Sequence, residues 1–274
     1  MTQNAIHKIV YCSNSQLPAS FGKPFFISVR HEFFYNKIMN KDSNPNLSPS
    51  FESLEVKPVA IVHTDFPEKF GIPRQADIIK DLKGTIVLTP DYQKPGVFHG
   101  LSQYSHLWLI WGFTLSKPGW SPTVRPPRLG GNVRMGVFAT RSPFRPNPLG
   151  LSAVRIEEID EDNYSIRIRG VDLVDGTPVY DIKPYIPYSD SIPDAEEGMA
   201  ALPRPRLTVE IPDILKEKIP ADVLSTLALI LAQDPRPAYQ QDESRIYGLK
   251  YAGMNVRFTV SADQVLHVVS IDFY

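Results

Sequence analysis

Residues 136–152 read GVFATRSPFRPNPLGLS. The stretch carries two arginines, Arg141 and Arg145, three prolines, Pro143, Pro146 and Pro148, and no acid. Each proline fixes φ and removes a backbone donor. Ser142, Arg145 and Asn147 each precede a proline and are pushed towards extended geometry. Residues 141–148 therefore exclude a helix and make a poor interior strand. The sequence predicts a stiff loop that holds two guanidinium groups in place, and loops fixed by a scaffold often carry function.

Outward from this loop the charge is one-sided. The chain has 274 residues and a formal net charge of -1, which argues against a general nucleic-acid binder. Yet no Asp or Glu occurs between Asp91 and Glu157, while Lys94, Lys117, Arg125, Arg128, Arg134, Arg141, Arg145 and Arg155 do. Such a block is a footprint for an anionic ligand. The bland alternative is a solvated basic face. No apolar run approaches the roughly 20 residues of a membrane span. Residues 1–30 lack a secretory layout. A single cysteine, Cys12, excludes a disulfide framework and a Cys-rich zinc site. A cytoplasmic protein is expected.

Further out, the pattern is of short strands with turn residues between them. Residues 59–64 alternate. Residues 84–89 form a strand candidate. The apolar run HLWLIWGF (106–113) predicts a central strand buried on both sides. Residues 137–139 and 152–159 are further strand candidates. In 164–170 Tyr164, Ile166 and Ile168 share one face. Without regular strand–helix alternation, this indicates an antiparallel sandwich or barrel. After residue 190 a small α+β unit is expected. It has a strand at 207–211, helices at 213–218 and 221–233 and a hairpin from 254–260 to 264–273. Val223, Leu224, Leu227, Ile230 and Leu231 form the apolar face of the second helix. Residues 39–53 (MNKDSNPNLSPSFES) read as a polar linker. Residues 1–54 are expected to be a disordered or loosely docked extension. A translation start at Met39 is a further expectation, overturned by a native mass that includes residues 1–38.

The chemistry that is missing narrows the field. No glycine-rich dinucleotide fingerprint or phosphate loop is present. The histidines show no i, i+4 pair, so no metal is expected. His106 opens an apolar strand, where a hydrogen-bonded structural role outweighs catalysis. The acidic turn DLVDGTPVYD (172–181) offers carboxylates for ribose hydroxyls or an ammonium, although Asp175 and Gly176 also read simply as a turn.

Five segments resemble one family, the TrmO/TsaA-type tRNA methyltransferases: PRQ (73–75), SHLW (105–108), the run from 125 to 152, DLVDGTPVYDIKPYIP (172–187) and LAQDPRPAY (231–239). They fall in family order across about residues 55–274. The resemblance implies a mainly β protein. An antiparallel β-barrel (55–190) would bind S-adenosylmethionine (SAM), and a small α+β C-terminal domain (191–274) would serve tRNA binding. It implies a homodimer that methylates N6 of threonylcarbamoyladenosine at tRNA position 37. Cofactor contacts carry over to Pro73, Arg74, Gln75, Phe113, Thr114, Arg141, Leu151, Gly170, Val171, Asp172 and Leu173. Phe113 departs from the pattern, since the family commonly has histidine there. Asp234 and Tyr239 carry over as catalytic positions, and Arg236 as a tRNA contact. Arg145 and Asn147 are left for the substrate side, with Arg145 equally readable as a cap on its own loop carbonyls. The competing reading is a SAM-sensing or RNA-binding barrel without catalysis.

Overall fold

The computed structural model describes residues 53–201, 206–237 and 242–274. The expectations for residues 1–52, and the one for Tyr239, lie outside these described residues. Glu55–Tyr274 forms one compact unit.

Its first half is a closed antiparallel barrel. In chain order the strands are β1 (Ala60–Thr64), β2 (Lys83–Leu88), β3 (His106–Gly112), the short β4 (Thr123–Val124) and β5 (Met135–Gly136), β6 (Leu149–Asp160), β7 (Ser165–Arg169) and β8 (Thr177–Pro184). The barrel runs β1-β2-β7-β6-β3-β8 and back to β1, while β4 and β5 pair only with each other. Closure removes the exposed edges an open sheet would present. Alternate side chains fill the interior: Ala60, Val62, Ile86, Leu107, Leu109, Val154, Ile166, Ile168 and Val179 are all fully buried. A closed barrel, not a sandwich, resolves the alternative that patterning left open.

Several local expectations are corrected. β3 is not buried on both sides. Leu107 and Leu109 point into the barrel, whereas Trp108 is partly exposed outside. Trp108 is covered by Tyr185, with ring centroids 5.4 Å apart, and donates to Asp190 at 2.8 Å. Residues 137–139 are a 3-10 turn, not a strand. The Thr140 N–H and hydroxyl both donate to the Val137 carbonyl, at 3.1 and 2.8 Å, and curl the chain. Tyr164 lies just outside β7 at φ 48°. The strand β8 was not anticipated, because Pro178 and Pro184 disguise it.

The first half ends with α1 (Pro187–Asp190), and the second contains β9 (Thr208–Glu210), α2 (Asp213–Lys216), α3 (Ala221–Ala232), β10 (Tyr247–Tyr251), β11 (Met254–Val260) and β12 (Val265–Phe273). The sheet order is β10-β11-β12-β9, with β9 parallel to β12. The hairpin of β11 and β12 forms as expected, whereas β10 was not foreseen. Leu227, Ile230 and Leu231 of α3 join one core cluster with Val256, Phe258 and Leu266 of the sheet and with the barrel interior. The two halves meet where the Ala252 N–H donates to the Asp65 carbonyl at 3.0 Å. Phe66 lies 5.0 Å from Tyr251, ring to ring. Among the described residues no helix is long and apolar enough to cross a membrane.

Candidate active site at one end of the barrel

The segments that carry the sequence signals leave the barrel at the same end. Residues 69–75 follow β1, 113–116 follow β3, 140–148 precede β6, and 170–176 join β7 to β8. Between them lies a cavity of about 520 Å³, within the size range of small-molecule sites. Pro73, Arg74 and Gln75 line one side, and Phe113 and Thr114 another. Arg141, Arg145, Asn147 and Leu151 come from the proline-rich loop and the start of β6. Asp172 and Leu173 complete the wall. Nine of the eleven residues assigned to the cofactor therefore share one cavity with Arg145 and Asn147 from the substrate side.

Gly170 and Val171 do not line it. Val171 is buried in the core. Gly170, at φ 77°, accepts from the Asp77 N–H at 2.9 Å and donates to the Leu82 carbonyl at 2.8 Å. Its left-handed backbone suits glycine. It aims the next residues at the cavity. The turn beyond is tied to the end of β1. The Thr64 hydroxyl donates to the Leu173 carbonyl at 2.9 Å. The Asp175 carboxylate accepts from the Thr64 N–H at 3.1 Å and lies 3.1 Å from His63 Nδ1.

The arginines of the loop are held differently. Arg141 Nη1 donates to Gln75 Oε1, which links two sequence motifs directly. Arg145 Nη1 donates to the Thr140 carbonyl at 3.1 Å. The capping reading of Arg145 is thus realised, and the side chain lines the cavity as well.

Three residues that sequence reasoning passed over organise the wall. Trp111 Nε1 donates to Ser152 Oγ at 2.9 Å, and Ser152 Oγ donates to Asp172 Oδ1 at 2.7 Å. The indole lies over Gly150, where an added Cβ would sit 2.3 Å from the ring. In sequence Trp111 looked like one more apolar strand residue and Ser152 like a strand start. The glycine at 150 is the one signal that could have pointed to a close approach. Asp172 is the one acidic residue among the described residues that line the cavity, against Lys69, Arg74, Arg141 and Arg145. Burial pushes its carboxyl up to about 6, against the Ser152 hydrogen bond and the Arg141 charge. No group of three or more metal-ligating side chains occurs among the described residues.

Asp234 and Arg236 lie elsewhere. They pair with each other, Arg236 Nε to Asp234 Oδ1 at 2.8 Å and Nη2 to Oδ2 at 2.9 Å, and neither lines the cavity.

Residues 61–191 match the tRNA-methyltransferase O N-terminal domain, and residues 207–273 match the TrmO C-terminal domain. The chain belongs to the TrmO family. The first TrmO domain corresponds to the barrel with α1, and the second to the four-stranded sheet with α2 and α3. The tRNA (adenine(37)-N6)-methyltransferase of Escherichia coli K12 is 41% identical over 221 residues, 76% of this chain and 94% of that protein. A Pseudomonas aeruginosa protein provisionally named an S-adenosylmethionine-dependent methyltransferase, RcsF, is 39% identical over 79% of this chain and 96% of its own length. A crystal structure of TrmO from P. aeruginosa superposes with a TM-score of 0.68 at 33% identity, covering 81% of this chain and 98% of that one.

Proposed function

We propose that the protein is a SAM-dependent tRNA methyltransferase acting on N6 of the adenosine at position 37, with threonylcarbamoyladenosine as its preferred substrate. The observation that carries this reading is the convergence of the PRQ, Arg–Pro–Asn–Pro and DLVD segments on one cavity. The family relatives supply the reaction class.

The cavity fits the cofactor on chemical grounds. SAM joins a flat adenine, a ribose, and a methionine bearing a carboxylate, an ammonium and a sulfonium. Trp111, Phe113, Leu149 and Leu151 offer flat or apolar surface, with Trp111 and Phe113 4.4 Å apart, ring to ring. Arg74 and Arg141 suit a carboxylate, and Asp172 suits a cation or ribose hydroxyls. The cofactor supplies an electrophilic methyl group. The chain's own residues have to hold donor and acceptor in line, and alignment alone lowers such a barrier substantially. The three prolines of the loop give that alignment its stiffness.

The substrate side rests on Arg145, Asn147 and Arg236 as proposals. A guanidinium has five donors. Arg145 uses Nη1 on its own loop, and the rest of the fork suits the threonyl carboxylate. That would favour the modified base over plain adenosine. The basic region, including Arg125 and Arg134 around the β4 and β5 hairpin, suits tRNA phosphates. Asp234 and Tyr239 stand as proposed contributors from the C-terminal half.

Phe138 is 77% exposed and Trp120 57% exposed, next to the same loop. A homodimer covering them is part of the proposal, and light scattering should give twice the chain mass.

Incubation with SAM and tRNA, with and without threonylcarbamoyl at position 37, followed by nucleoside mass spectrometry, tests the function. Gain of one methyl on the modified base is expected. SAM binding without methyl gain on any tRNA would favour a non-catalytic SAM-sensing barrel.

A further inference from the structure

Methylation of N6 releases a proton. A nitrogen that is part of a urea-like group is a weak nucleophile, so removal of that proton assists the step. The cavity limits which group can take it. Lys69, Arg74, Arg141 and Arg145 are cations, and Thr114, Ser116, Thr140 and Thr177 carry hydroxyls that stay neutral near pH 7. No histidine lines the cavity among the described residues. Asp234 is engaged by Arg236 outside it. One candidate is left among the described residues.

We propose that Asp172 accepts the N6 proton during methyl transfer, with Ser152 and Trp111 as its positioning residues. The proposal rests on the methyltransferase reading above. An indole N–H can only donate. Ser152 Oγ therefore accepts from Trp111 Nε1 at 2.9 Å, and its single proton is directed to Asp172 Oδ1 at 2.7 Å. The carboxyl group is fixed by neutral donors, the Ser152 hydroxyl and the backbone N–H groups of Ala76 and Asp172, rather than by a bidentate cation. Arg141, the charged group that acts on it most directly, is engaged by Gln75. Arg74 and Lys69 are contributed by the segment after β1, and Arg145 by the loop before β6. Ser152 of β6, which touches Asp172, and Trp111 of β3, which touches Ser152, are uncharged. Burial raises Asp172 to about 6, close to the value that serves a general base at neutral pH.

The step balances without a further reactant. The bond from N6 to the methyl carbon forms as the carbon–sulfur bond breaks, and sulfur keeps that pair. The N6–H bonding pair stays on nitrogen. The proton passes to Asp172, which changes from carboxylate to carboxylic acid.

The test uses the full chain. Single-turnover methyl transfer to tRNA bearing threonylcarbamoyladenosine is followed from pH 5 to 8.5, and SAM affinity is measured by calorimetry. Wild type should lose rate about tenfold per pH unit below about 6. At saturating SAM, Asp172→Asn should slow transfer by about 100-fold or more. Ser152→Ala should move the acid limb upward with most of the rate at pH 8 retained, which a purely structural role would not produce. In the cofactor-free protein the Asp172 carboxyl ¹³C resonance should titrate near 6. An Asp172→Asn variant that keeps its rate overturns the assignment. So does one whose rate returns to the wild-type value once SAM is saturating, which would make Asp172 only the cofactor's counter-charge. A carboxyl that titrates below about 4.5 overturns it too. A wild-type protein that binds SAM but methylates no tRNA overturns the underlying reading as well.

Discussion

Arg236 folds back on Asp234 in a two-bond fork, two residues away in sequence, with its side chain only 10% exposed. Asp234 itself sits at φ 51°, just past the end of α3, with its N–H on the Leu231 carbonyl at 3.2 Å. Left-handed geometry at this position ends a helix, and aspartate tolerates it better than most residues. The fork thus fixes the start of the DPRPAY segment. Arg236→Ala should lower unfolding free energy by about 1.5–3 kcal/mol, the usual range for hydrogen bonds to charged groups. Arg236→Lys should recover less than half, because an ammonium cannot form the fork. Urea titration of both variants checks this.

Gly150 and Trp111 are in such close approach that a Cβ at 150 would lie 2.3 Å from the indole. Gly150→Ala should displace Trp111 and break its bond to Ser152. A cost of about 1–3 kcal/mol is expected for overpacking, together with a red-shifted tryptophan emission and weaker SAM binding. Unchanged emission and affinity would show that the ring relaxes without consequence.

Asp172 should make the cofactor-free protein less stable at neutral pH. Its carboxyl is raised from 3.8 to about 6 in the folded state. Between those values the folded chain holds the proton more tightly than the unfolded chain. Stability contributed by this group therefore falls as pH rises from about 4 to about 6, and is flat above. At about 1.4 kcal/mol per unit the penalty at pH 7 is on the order of 3 kcal/mol. Asp172→Asn should accordingly be more stable than wild type at pH 7, with the gap closing towards pH 4. Denaturant midpoints of the two proteins across pH 4 to 8 measure it.

Leu249 of β10 is fully buried and packs against Gly71, in the segment that leads to Pro73. Leu249→Ala should cost about 2–5 kcal/mol. All three tryptophans, Trp108, Trp111 and Trp120, lie in the first half of the unit. Tryptophan emission therefore reports the barrel, and far-ultraviolet circular dichroism the whole. Because one core runs through both halves, the two signals should shift together in a single transition. Separate midpoints would show that the halves unfold independently.

The features written locally in the chain were legible. Prolines at 143, 146 and 148 dictated a stiff loop, and strand β6 begins directly after them at Leu149. Period-two patterning marked β7 and β11, and the apolar face of α3 appeared as expected. The order of the family motifs along the chain pointed to the family. Such signals depend on one residue's dihedral freedom or on spacing within an element, so sequence suffices. The barrel's closure was not legible, because β3 pairs with both β6 and β8 and neither pairing is a local property. Nor was the hydrogen-bonded chain from Trp111 through Ser152 to Asp172, or the contact of Arg141 with Gln75, 66 residues apart. The basicity of Asp172 comes from desolvation by distant segments, whereas Asp234 is held by the arginine folded onto it. The sequence by itself determined which segments matter and which backbone shapes they adopt. Only the tertiary structure decided which of their charged groups face the cavity, because burial and hydrogen-bond partners come from parts of the chain that meet only on folding.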